Sequence, residues 1–347
     1  MFDLKDLNAI RKLDPKNVYD STELFTKQCE QIWMDAKKIE FPQEYKAINN
    51  VILCGMGGSA YGGYVAQALL KDKLPAFVYS NNDYHLPAFA NKKSLVVLSS
   101  YSGSTEEVLS CAKEAYEKDL LVTVVTNGGA LKKLIDDHNG TGLVFDPKFN
   151  PSGQPRLGTG YMVLGFIALL NRLGLVSLSD EAVMAAVHEV KENQQKVKED
   201  AMTIAQKLFD TLPVIFSSDF LNGNAHIMRN QLNETAKSFS AFEDVPELNH
   251  HLMEGLQNPK EKKLHILFLL SDLYDAIHKK RMKLTQDVVE KNHVEISSYA
   301  VPGKTRLSQM LTTLSFGGYV SLYLALLYGL DPSLIPWVDY FKEQLGK

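Results

Sequence analysis

The chain has 347 residues, 45% of them apolar and 22% charged, with a formal net charge of −4 and three cysteines. That length suffices for two hydrophobic cores, and a mildly acidic chain lacks the basic face that general nucleic-acid binding needs. Cys29, Cys54 and Cys111 are odd in number, far apart and without C-x-x-C spacing, which speaks against a disulfide or metal framework and suits a reducing, cytoplasmic setting. The opening MFDLKDLNAIRKL has no apolar core of the secretory type. The longest apolar runs, LHILFLL (264–270) and YVSLYLALLYGL (319–330), are too short to span a bilayer, so no membrane partner is expected. The densest basic cluster, HKKRMK (278–283), reads as the solvated face of a helix.

Residues 1–48 read as peripheral helices. In STELFTKQCEQIWMDAKKI, Leu24, Phe25, Cys29, Ile32, Trp33 and Ala36 recur at helical spacing. An alternation of strand and helix follows. Strands are expected at 50–56, 76–81, 94–104, 121–127 and 142–147, with helices at 61–72, 105–119 and 130–139. The strands are apolar throughout, which predicts a parallel sheet covered on both faces. A Pro/Gly-rich break, NPSGQPRLGTG (150–160), leads into a very apolar helix (160–175) that reads as lying between domains. After a polar helix (180–208) a second alternation begins. Strands are expected at 213–218, 263–272 and 293–301, with helices at 225–237, 306–329 and 334–345. VILCGMGGSAYGGYVAQALL and VIFSSDFLNGNAHIMRNQLN share the order strand, glycine loop, helix. The expected fold is therefore α/β, with two doubly wound parallel-sheet units. Residues 1–153 would form the first, and 154–347 would supply bridging helices and the second.

The chemistry centres on two turns. GMGGSA (55–60) fits G-x-G-x-x-A, so a dinucleotide site is open; the acid it would need is Asp83, which falls in a loop. A P-loop is ruled out, because no G-K-[S/T] is present and no lysine follows the glycines until Lys71. SSYSGSTEE (99–107) is a second turn rich in hydroxyls before a helix. Turns after adjacent strands converge at the carboxyl edge of the sheet, where helix N-termini attract anions. Gly57, Gly58 and Ser59 from one turn and Ser100, Ser102, Ser104 and Thr105 from the other make a cup of neutral donors. Such a cup suits a compact phosphomonoester. Helix capping alone would account for either turn taken singly.

CGMGGSAYGG and LSSYSGSTEE resemble the sugar isomerase (SIS) domain, a fold also found in transcription regulators and transaminases. In the second half, RNQLNETAKSFSAFEDVPELNHH (229–251) resembles the Q-x-N-E … P-E-x-N-H signature of the bifunctional phosphoglucose/phosphomannose isomerase family. The ending LYGLDPSLIPWVDYFKEQLGK is also similar. The resemblance implies an aldose–ketose isomerase of glucose 6-phosphate and fructose 6-phosphate. That reaction opens a sugar ring and moves one proton between C2 and C1, which requires no metal or redox cofactor.

The resemblance also implies roles for single residues. Glu234 would be the base, His250 the ring-opening acid and base, Arg156 the cation that stabilises the enediolate, and Lys342 a contact to the sugar oxygens. On residue pattern alone Glu234 is a solvated helix glutamate, Arg156 a linker arginine and Lys342 an exposed lysine. Adjacent His251 competes with His250 for the same role. Relatives take this histidine from the partner subunit, so a homodimer with a shared active site is expected. One position departs from the pattern: seven residues before the lysine, where dual-specificity members carry threonine, stands Ile335. Isoleucine forms no side-chain hydrogen bond, which makes glucose 6-phosphate the firmer expected substrate and mannose 6-phosphate the less firm. A non-catalytic sugar-phosphate sensor and a nicotinamide enzyme are the competing readings. NAD binding would single out the second of these.

Overall fold

The computed structural model describes residues 2–346. Three helices lead the chain: α1 (Leu7–Leu13), α2 (Val18–Glu23) and α3 (Phe25–Ala36). The first alternation follows as β1 (Asn50–Cys54), α4 (Tyr61–Leu69), β2 (Phe77–Asn81), β3 (Ser94–Ser99), α5 (Glu106–Glu117), β4 (Leu121–Thr126), α6 (Gly129–Asp137) and β5 (Leu143–Val144). Next come α7 (Thr159–Arg172) and α8 (Asp180–Leu208). The second alternation is β6 (Leu212–Ser218), α9 (Asn222–Glu234), β7 (Ala241–Val245), α10 (Leu252–Gly255), β8 (Leu264–Leu270), α11 (Ala276–Lys291) and β9 (Glu295–Ala300). The chain closes with α12 (Arg306–Leu327) and α13 (Pro336–Leu345).

Both sheets are parallel and wound the same way. The first has the order β2-β1-β3-β4-β5 and the second β7-β6-β8-β9. In each, the opening strand connects to one side and the chain then crosses to the other. A crevice therefore opens at the carboxyl ends of β1 and β3. Val51–Cys54 and Leu95–Leu98 are wholly buried, which explains their uninterrupted apolar sequence. The strand expected at 142–147 shrinks to two residues. The acidic stretch Ala241–Val245 is a strand that apolar patterning does not reveal, because it lies half-buried at a sheet edge.

Helix α7 differs from its expected place between the units. It packs on α3 and α4 at the first sheet, and a Cβ on Gly62 of α4 would meet the Phe166 Cβ at 2.6 Å. The contact between the units is instead made by α4 and α9. Gly223 permits it: a Cβ there would lie 2.4 Å from the Tyr64 carbonyl oxygen. The His226 ring is stacked between Tyr64 (4.0 Å) and Phe242 (4.6 Å), and burial, then Arg229, lowers its pKa to about 4. Helix α12 has the length and composition of a membrane span, yet every residue of its apolar window is buried inside the protein, against α8 and α9. Helix α13 buries no residue at all, and Trp337, Tyr340 and Phe341 are largely exposed. The three cysteines are free and buried. Cys29 lies on α3, whereas Cys54 and Cys111 meet at the Asn81 amide, which donates to both sulfurs.

Candidate active site

The two turns meet as the strand order requires, because β1 and β3 are paired neighbours. They are fastened to each other. The Ser99 hydroxyl donates to the Ser59 carbonyl at 2.6 Å, and the Tyr101 N–H donates to the Ser59 hydroxyl at 3.0 Å. Ser100 Oγ lies 2.7 Å from Thr105 Oγ1 and accepts the Gly103 N–H at 3.1 Å. Gly103 has φ +70°, and a Cβ there would fall 1.9 Å from the Gly128 carbonyl, so only glycine closes this turn. Thr105 precedes α5 without capping it through its side chain, and α4 also starts without a side-chain cap. The first N–H groups of α5 are thus left to an external acceptor, whereas α4 continues a 3-10 turn, Gly57–Ala60, and its Tyr61 N–H already donates to the Gly58 carbonyl. Ser59 and Ser100 are buried and bonded, whereas Gly57, Ser102 and Ser104 are exposed and Gly58 and Thr105 partly so.

Arg156 ties this cup to the second unit. Its Cα would stand 3.2 Å from a Cβ on Gly58, so its backbone lies against the first turn. Its guanidinium, almost wholly buried, reaches away from that turn. Nη1 donates to Glu234 Oε1 at 3.4 Å and to Gln154 Oε1 at 3.1 Å, and Nε to Thr235 Oγ1 at 3.2 Å. Nη2 donates to the Pro332 and Ser333 carbonyls at 2.8 and 2.9 Å. These bonds engage all five guanidinium donors. In this arrangement Arg156 has no N–H to spare for a further acceptor. Burial pulls its pKa down, and Glu234 opposes that shift.

Glu234 is the last residue of α9, and its side chain is 30% exposed. A carboxylate there faces the negative end of the helix dipole, and Arg156 offsets that cost. The buried Tyr61 phenol stands close by; burial, then Glu234, raises its pKa. A cavity of about 270 Å³ opens beside Glu234, lined also by Asn233, Lys237, Phe239, Ile335, Pro336, Trp337 and Val338. A larger cavity of about 520 Å³, near Leu69 and Glu189, holds none of the candidate residues.

His250 and Lys342 stand apart from this group. Glu234 ends α9, so the loop after it returns to the amino edge of the second sheet, where β7 begins. His250 follows the carboxyl end of β7. The five residues of β7 alone separate them by about 17 Å. His250 is exposed, and so is Lys342 on α13, one turn beyond Val338 of the cavity wall. Glu247 holds His251 at 2.6 Å and raises its pKa.

Residue patterning misses Lys237. Its Nζ donates to the Thr235 carbonyl at 3.0 Å and to that of Asp331 at 2.8 Å, and burial, then Arg156, lowers its pKa to about 8. A lysine just past a helix end ordinarily reads as a solvated partner of the dipole, which hides it.

Residues 197–345 match the family described as the bacterial phospho-glucose isomerase C-terminal SIS domain. The bifunctional phosphoglucose/phosphomannose isomerase of Caldicellulosiruptor bescii is 31% identical, across 95% of this chain and 99% of that protein. The enzyme of the same name from Aquifex aeolicus is also 31% identical, across 96% and 99%. Among solved structures, a hypothetical protein from Thermus thermophilus superposes with a TM-score of 0.74 at 13% identity, covering 97% of this chain and 93% of that one, a likeness of fold.

Proposed function

Because this chain belongs to the bifunctional phosphoglucose/phosphomannose isomerase family, we infer that it interconverts glucose 6-phosphate and fructose 6-phosphate, and likewise mannose 6-phosphate. It is an aldose–ketose isomerase, and the family does not favour a non-catalytic sensor. One observation carries the reading of the site. Arg156 has its backbone against the first turn and its guanidinium 3.4 Å from Glu234, a single residue linking cup to carboxylate, which supports a site shared by the two.

In that site the substrate phosphate accepts hydrogen bonds from the turns at Gly57, Gly58 and Ser59 and at Ser100, Ser102 and Thr105. The exposed Ser102 hydroxyl, the backbone of the Gly57–Gly58 turn and the uncapped N-terminus of α5 make the direct contacts, while the buried Ser59 and Ser100 hold the turns in shape. Glu234 removes the C2 proton of the open-chain aldose, giving a planar enediol(ate), and returns the proton to C1 on the same face. Arg156, fully bonded, favours the negative charge that develops.

Ring opening falls to His250 of a second copy. The length of β7 between His250 and its own Glu234 supports this, as does the occupation of His251 by Glu247. Lys342 approaches the sugar oxygens from α13, whose exposed apolar side chains suit an interface of the same homodimer. Ile335 lines the cavity by Glu234, where a threonine would offer a hydroxyl to the C2 group that distinguishes glucose from mannose. The mannose epimer should therefore be the slower aldose. Three buried, unpaired thiols accord with a cytoplasmic setting. The test is a coupled assay with glucose 6-phosphate, mannose 6-phosphate and fructose 6-phosphate, run beside exchange of the C2 hydrogen in deuterated water. Turnover with C2 exchange is expected. Phosphate-ester binding without exchange would leave only a sensor.

A further inference from the structure

Residues 331–333 present three successive carbonyls to two cations. Lys237 takes the carbonyl of Asp331, and Arg156 takes those of Pro332 and Ser333. The turn is drawn tight from its other side by Asp331, whose Oδ1 accepts the Ser333 N–H and hydroxyl, each at 2.7 Å. Three residues later α13 begins at Pro336, and Ile335 and Pro336 line the cavity together with Glu234. Since α13 buries nothing, this turn is what fixes where the wall stands within one chain.

The backbone of Lys237 points the same way. Its φ is +52°, a left-handed conformation that is strained for a side-chain-bearing residue and that glycine or asparagine adopts more readily. A lysine here gives the helix end no backbone advantage. What it adds is the ammonium, carried back over the end of α9 to the orphan Thr235 carbonyl and across to Asp331. The same ammonium stands beside Glu234, a second cation next to a carboxylate at a helix C-terminus.

We propose that Lys237 is a positioning residue for the isomerisation: together with Arg156 it fastens the 331–333 turn, and so sets the cavity wall beside Glu234 and the root from which α13 projects. This rests on the isomerase reading of the cavity. Lys237 acts through the turn and through Glu234, with its hydrogen bonds spent on backbone oxygens.

The test compares Lys237→Met and Lys237→Arg with the unmodified full chain, by steady-state kinetics on glucose 6-phosphate and by amide hydrogen exchange. Lys237→Met keeps the stem and removes the charged donor. It should lower kcat/KM about tenfold or more, the scale of one charge-assisted hydrogen bond. Exchange should quicken in 331–338 while β6 and β8 keep their protection. Lys237→Arg, which restores a cationic donor, should recover a large part of both. Wild-type exchange at 331–338 in Lys237→Met overturns the proposal. So does quickened exchange there with unchanged kcat/KM, and so does a loss of protection spread evenly over the chain. Equal losses in the two variants also count against it. If the unmodified protein fails to turn over the sugar phosphates, the isomerase reading falls, and the exchange comparison still decides whether Lys237 anchors the turn.

Discussion

Ser59 is buried and bonded to the opposite turn and Ser100 is buried and bonded within its own, whereas His250 and Lys342 stand in the open on elements that nothing in the same chain holds against Glu234. The two groups differ in how far the fold has already placed them. One sheet, by its strand order, brings the phosphate turns together, and the hydrogen bonds between them leave little to be ordered when an anion arrives. The proposed acid–base residues beyond Glu234 lie past the carboxyl end of an edge strand and on a helix tethered only at its root. The lesson is that anchoring a substrate and transforming it are separable here. On the proposed reading the first is complete within one chain, and the second waits for another copy.

The most severe way to probe that division is at Glu234 itself. Glu234→Gln keeps the shape of the side chain and cannot accept the proton. It should lower kcat by roughly 10²–10⁴-fold with KM little changed, since the phosphate turns are untouched. Wild-type C2 hydrogen exchange in the variant would assign the base elsewhere. Next in size is a mixing experiment. If His250 crosses to a second copy, Glu234→Gln and His250→Ala are each inactive alone, and their hybrids regain one intact site. A random mixture should recover about a quarter of the wild-type rate. No recovery after verified subunit exchange would place all the chemistry within one chain.

The pH profile sharpens the contrast further. Burial, with Arg156 second, brings Lys237 to about 8, while Asp331 and Glu234 pull it upward. As pH rises through about 8 the ammonium beside Glu234 discharges, so kcat/KM should develop an alkaline limb there. Lys237→Arg should move that limb higher. Stability should respond in the opposite sense. Between about pH 8 and the ordinary lysine value of 10.5 the unfolded chain binds the proton and the folded one does not, so this residue's cost to folding is relieved as pH rises. A melting series over the same range separates the two effects.

A smaller effect is expected in the cup. Ser102→Ala, at an exposed hydroxyl, should raise KM about two- to tenfold and leave the melting temperature alone. Ser100→Ala should instead destabilise the turn, because that oxygen holds Thr105 and Gly103 together. Reversal of those two outcomes would mean that the buried hydroxyl, and not the exposed one, meets the phosphate. Least in size is the acid side. Burial and Arg229 lower His226 to about 4, so its contribution to stability is intact above about 6.5 and is lost as pH falls towards 4. His226→Phe, which keeps the ring stack between Tyr64 and Phe242, should lose a few degrees less of melting temperature than the wild type on going from pH 7 to pH 5.

The sequence made the doubly wound architecture legible because buried parallel strands write themselves as unbroken apolar runs. Leu95–Leu98 is the clearest instance. It also showed the two turns that meet at the sheet edge, since a strand end, a glycine and a hydroxyl cluster lie within ten residues. Strand β7 escaped, because an edge strand with Glu243 and Asp244 half exposed has no apolar period to follow. The position of α7 could not be read either. An all-apolar helix proclaims burial without naming its neighbours, and Gly62 of α4 is what selects them. Lys237 was hidden for a related reason: it reaches a carbonyl nearly a hundred residues away, which no local pattern encodes.

All three thiols lie on one side of the molecule. Cys29 sits on α3 against α7, and Cys54 and Cys111 lie within the first sheet and its covering helix, each with 1% or less of its surface exposed. None lies beyond residue 111, so the second sheet carries no sulfur nucleophile. An alkylating reagent offered to the folded protein is thus a clock for the opening of the N-terminal half alone. Set beside amide hydrogen exchange in β6 and β8, it would show whether that half can breathe while the second sheet is still in place.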